Sequence, residues 1–174
     1  MTYRQIAAVA CVSLGLGGTS ASPSFDRLIS FVDPKSCEPD KTFDALLNSL
    51  VSFEPSGVSY TPALKTPQIS PEFSGMIGTP HLKTNGNEYR ATLPLHGVWH
   101  NLPLRSVAVV GWVESEQGFE LLFDADRAQI LATANRLGFG LPPSGSEYRE
   151  GAVMGLNIGV SEHGDGAAIY CMPG

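Results

Sequence analysis

The chain has 174 residues, one domain's length, with 11 Lys+Arg against 17 Asp+Glu and a net charge of -6. That balance lacks the basic face that phosphates require, so nucleic acid is not an expected partner. With 43% hydrophobic and 16% charged residues the chain can fill a core. No apolar run reaches the roughly 20 residues of a helical span, so an integral membrane protein is not expected.

Residues 1–21 read as a signal peptide. Arg4 supplies the positive start, Ile6 to Leu16 the apolar stretch, and Thr19-Ser20-Ala21 the small residues at a cleavage point. The expected product is an exported protein, periplasmic or extracellular, cleaved near Ala21. Loss of Arg4 would leave 10 Lys+Arg against 17 Asp+Glu, a balance of -7. Ala8-Val9-Ala10-Cys11 resembles a lipidation site, but the apolar run continues past Cys11, which disfavours it. Two cysteines then remain, Cys37 and Cys171, and an oxidising compartment favours one disulfide between them.

Residues 22–174 are expected to form a single exported domain. Phe25, Leu28, Ile29 and Val32 recur at helical spacing, and Asp33-Pro34 should end that helix. A second helix is expected with Pro39 in its first turn and Phe43, Leu46, Leu47 and Leu50 facing a core. Residues 51–87 carry Pro55, Pro62, Pro67, Pro71 and Pro80, and read as a long, mostly extended Pro-rich loop. Tyr60 and Phe73 are its candidates for partner contact.

Tyr89 to Trp99 alternates with period two, as does Leu102 to Trp112. A two-residue turn at His100-Asn101 would pair Trp99 with Leu102, Leu93 with Ala108 and Tyr89 with Trp112. A loop at Ser115 to Gly118 leads to a third strand, Phe119 to Phe123. Asp126 with Gln129 should cap a helix carrying Ile130, Leu131, Ala134 and Leu137, which Gly138 closes. After a loop from Pro142 to Gly151, alternation from Ala152 to Val160 and again from Ala167 to Met172 gives a closing hairpin.

The expected fold is therefore α+β. A mainly antiparallel sheet of about five strands, a meander, a helix and a hairpin, follows two N-terminal helices and the long loop. The order helix, three strands, helix, two strands resembles that of type III secretion chaperone-like folds. The likeness is one of element order and carries no function.

No sequence motif names a reaction, a metal or a cofactor. Glu162, His163 and Asp165 cluster at a hairpin tip, where a carboxylate could orient a general base, but Gly164-Asp165-Gly166 is also ordinary turn chemistry. His96 and Arg105 are expected side by side on the outward face of the meander, a candidate polar binding face. His96 and His100 stand too far apart along a strand, roughly 13 Å, to share one metal. The leading expectation is a small exported binding protein, inhibitor- or chaperone-like, whose partner is another protein or an envelope component. The alternatives are a hydrolase-like enzyme using His163 with Asp165 or Glu162, and a carrier holding an apolar ligand among Leu93, Val110, Leu121 and Met154.

Overall fold

The computed structural model describes residues 23–151 and 155–174. The expected signal peptide at 1–21, with Cys11, and also Ala152 and Met154 lie outside the described residues. No described helix is long and apolar enough to cross a membrane.

The first described segment is not the expected helix. Phe25 accepts from Leu28 N and Ile29 N in one helical turn, which buries Phe25, Leu28 and Ile29. The chain then extends as β1 (Phe31–Asp33), and Val32 is left exposed. Ser24 is already bridged to Val98, so the backbone here is tied to the sheet, and only one turn has room to form. Asp33 caps a short 3-10 turn, Pro34–Ser36, and β2 (Glu38–Pro39) returns against β1. Pro39 thus precedes the next helix instead of opening it. The helix α1 (Lys41–Asn48) starts at Asp40, whose carboxylate accepts from Thr42 N and Phe43 N. Its buried face is Phe43, Leu46 and Leu47, as the spacing predicts.

The Pro-rich stretch is more ordered than a loop. β3 (Val51–Ser56) and β4 (Ser59–Leu64) form a separate two-stranded sheet, a 3-10 turn covers Pro71–Met76, and β5 (His81–Asn85) is an edge strand. Then come β6 (Glu88–Trp99), β7 (Leu102–Trp112), β8 (Gln117–Phe123), α2 (Arg127–Arg136), β9 (Ser146–Arg149), β10 (Leu156–His163) and β11 (Gly166–Pro173). One antiparallel sheet of seven strands, in the order β5-β6-β7-β8-β11-β10-β9, dominates the molecule. The expected sheet of about five strands gains β5 from the supposed loop and β9 from the stretch before Gly151.

The turn between β6 and β7 is as expected. His100 and Asn101 both take positive φ, 48° and 68°, and Trp99 pairs with Leu102. The register further down is not. A bulge sets Leu95 and His96 against Arg105, so Leu93 pairs with Val107 and Tyr89 with Gly111. One extra residue reverses which side of β7 faces inward. Val107 and Val109 are buried, while Trp112 is 51% exposed. The turn into β8 falls at Val113 to Glu116, and Val109 pairs with Phe119 and Val107 with Leu121.

The core lies between this sheet and the N-terminal elements. Phe31 joins them: its ring lies 5.5 Å from Phe43, 5.1 Å from Phe139, 5.9 Å from Phe119 and 6.5 Å from Trp99. The buried Trp99 indole donates to Ile29 O at 2.8 Å, so its polar atom is satisfied. The helix α2, capped by Asp126 accepting from Gln129 N, lays Ile130 and Ala134 against β10 and β11. Cys37 and Cys171 form the expected disulfide, tying the N-terminal segment to β11 across 134 residues of sequence.

Candidate functional site

The hairpin β3–β4 is mostly exposed. Its register pairs Val51 with Leu64, Phe53 with Pro62 and Pro55 with Tyr60. Those six apolar residues share one face, and Ser52, Glu54, Ser56, Ser59, Thr61 and Ala63 share the other. A tight turn at Gly57, with φ of 66°, lets the strands run antiparallel. Burial runs out along the hairpin. Val51 is buried at its base, Phe53 meets Tyr89 edge-on at 5.4 Å, and Val58 at the tip is fully exposed. Among the described residues seven large apolar side chains are substantially exposed, and four of them, Phe53, Val58, Tyr60 and Leu64, belong to this hairpin.

The hairpin is anchored at its root. Lys65 N donates to Leu50 O, and Gln68 N donates to the Ser49 hydroxyl, which in turn donates to Leu46 O. Opposite its apolar face stands the β7–β8 turn. Phe53, Tyr60, Glu114 and Ser115 line an open groove of about 330 Å³ between them. On the other side of the turn a second open groove, of about 500 Å³, runs between α1 and β8 to the disulfide. Asp44, Leu47, Glu116, Gln117 and Phe119 are among the residues lining it. Tyr89 stiffens the junction. Its hydroxyl donates to Gln117 Oε1 at 3.2 Å, and burial pushes its pKa upward.

The sequence-selected residues divide around this surface. Tyr60 is part of it, 47% exposed. Phe73 is not: it is buried and stacked on Phe25 at 5.8 Å, because the 3-10 turn that carries it folds back onto the core. His96 is exposed in the β6 bulge, near Gly78. The bulge does set it against Arg105, but the Arg105 guanidinium is engaged elsewhere, with Asp124 and, at 2.9 Å, with Asp165. Those two carboxylates, Asp124 foremost, raise the Arg105 pKa, and Arg105 in turn holds Asp165 below the usual carboxylate range. Glu162 and His163 are exposed at the end of β10, and among the described residues no hydrogen bond or ion pair joins His163 to Asp165 or Glu162. Leu93 and Leu121 are fully buried in the core, whereas Val110 lies on the opposite side of the sheet. Among the described residues no group of three His, Cys, Asp or Glu side chains is placed to hold a metal.

Phe53 and the β7–β8 turn were missed. For Phe53 the signal is present, since Val51, Phe53 and Pro55 alternate with Ser52, Glu54 and Ser56; for the turn only the register supplies it. The two prolines masked a strand pattern.

Compared with protein-family models, with curated proteins and with solved structures, the chain matches none.

Proposed function

We propose that this is an exported, non-catalytic protein that binds another protein through the apolar face of the β3–β4 hairpin. One observation carries the reading: an amphipathic hairpin, anchored at its root, leaves Phe53, Val58, Tyr60 and Leu64 in water. A lone two-stranded hairpin is marginal in water, and its apolar face has a free-energy gain available only on docking. The Cys37–Cys171 disulfide supports an oxidising destination, in line with the signal-like start. The hydrolase and carrier readings gain no comparable support, since the Asp165 carboxylate is held by Arg105 and Leu93 and Leu121 belong to the buried core cluster, with Val110 on the other side of the sheet.

The test is photo-crosslinking in the producing cell, with a photoreactive phenylalanine analogue at Tyr60 and, as control, at exposed Ser161. Crosslinking to a discrete protein from position 60 alone is the expected result. Equal labelling from both positions, or none from either, would remove the proposal. The intact mass of the same material, taken without reductant, checks the address: cleavage after Ala21 and two hydrogens fewer than the dithiol.

A further inference from the structure

We infer that the occupant of the hairpin is a basic amphipathic segment of the partner protein, held by side chains and not by strand addition. This rests on the hairpin reading above and specifies what it takes.

The edges come first. Proline has no N–H, so Pro55 within β3 and Pro62 within β4 fit the ladder only with their nitrogens turned outward. Each outer edge of the hairpin therefore lacks a donor, within β4 at Pro62 and near the tip of β3 at Pro55. An added strand needs an unbroken run of such groups, and proline is a common means of denying it. Recognition falls to the apolar face.

Size comes next. Six residues of strand span roughly 20 Å and two strands about 10 Å, so the hairpin offers on the order of 200 Å². A stable interface between folded proteins takes about 800 Å² per partner. A segment that fills the 330 Å³ groove beside Tyr60 and continues over the turn into the 500 Å³ groove fits better than a flat globular face.

Charge then selects the segment. Glu114 borders the first groove, Glu116 and Asp44 the second, and Glu54 lies on the back of the hairpin. Among the described residues none of these four carboxylates has an ion-pair partner, whereas Arg27, Arg90, Arg105 and Arg149 each meet a carboxylate elsewhere. Nearby cations are Lys65, whose ammonium reaches Asn48 O at 3.4 Å, and Lys41, one turn before Asp44 in α1; among the described residues neither forms an ion pair with these carboxylates. An apolar strip bordered by unpaired carboxylates is complementary to apolar residues interspersed with Lys or Arg.

The probe is a fluorescein-labelled twelve-residue peptide of alternating leucine and lysine, titrated by anisotropy at low and moderate salt. Its counterpart has glutamate in place of lysine. The lysine peptide should bind and the glutamate peptide should bind at least tenfold more weakly. Phe53→Ser with Tyr60→Ser should cost about tenfold or more. Glu114→Gln with Glu116→Gln should cost about three- to tenfold and flatten the salt dependence. Glu162→Gln, exposed near the tip of the β10–β11 hairpin and outside both grooves, should change neither. Circular dichroism of each variant verifies folding. If the glutamate peptide binds equally well, or Glu114→Gln with Glu116→Gln changes nothing, the basic occupant is overturned and the hairpin stands. If the lysine peptide binds but Phe53→Ser with Tyr60→Ser leaves its affinity unchanged, the hairpin reading itself fails. No binding of the lysine peptide overturns the basic occupant.

Discussion

Asp165 shows how one residue changes role between sequence and structure. Beside His163 it suggests an acid–base pair, yet Arg105 reaches it from β7 across 60 residues of sequence. The hydrogen bond from Arg105 is the main cause of its lowered pKa. A carboxyl whose folded pKa is depressed adds stability that is complete above its ordinary value, here 3.8, and is lost as pH falls through the lowered one. Asp165→Asn should therefore lower the melting temperature slightly at pH 7 and leave it unchanged near pH 2. The contribution is small because the group is exposed. Equal differences at both pH values would show that the ion pair is not the cause. Asn101 offers a backbone test. It holds φ of 68° in the β6–β7 turn, where a β-branched side chain meets the following carbonyl. Asn101→Val should cost about 1–2 kcal/mol in a denaturant titration.

Elements were legible in proportion to how cleanly their pattern chose one face. The His100-Asn101 turn, α1 and α2 emerged because turn chemistry, caps and helical spacing agreed. β7 did not, because Val107, Ala108, Val109 and Val110 are apolar on both sides and cannot reveal a one-residue shift. The bulge at Leu95-His96 decides the matter, and no residue type there announces it. Deleting His96 should abolish the bulge and press the β7 register toward Val110 and Trp112 inward. The expected outcome is loss of the cooperative melt, whereas His96→Ala should melt within about 0.5 kcal/mol of the parent, as exposed substitutions do. Of the candidate surface, Tyr60 was visible in the sequence. Phe53 hid behind Pro55, and Glu114 entered only when the register placed the β7–β8 turn opposite the hairpin.

At the scale of the molecule, the antiparallel sheet and the disulfide were readable, and the seven-strand count was not. The edge strands β5 and β9 are short, and lie in stretches where proline and glycine speak for loops. The disulfide spans 134 residues, and in the chain-entropy model such a closure stabilises by up to about 4–5 kcal/mol. Cys37→Ser with Cys171→Ser should lower the denaturation midpoint accordingly, with the slope in denaturant also altered if the unfolded chain expands. An unchanged midpoint would show that the tie contributes nothing to stability.

The place of β11 between β8 and β10 governs the order in which the sheet can be completed. The meander β5 to β8 consists of neighbours in sequence and can pair early. β8 then keeps an open edge, and Phe119, Leu121 and Phe123 beside it, until β11 arrives after α2, β9 and β10. Such a long-range pairing is slow relative to hairpin formation, and the waiting edge invites self-association. Cys171 lies on that late strand, so oxidation to Cys37 before docking would hold β11 near its slot and shorten the vulnerable interval. The same bond that stabilises the finished protein is thus positioned to govern how much of it escapes aggregation on the way.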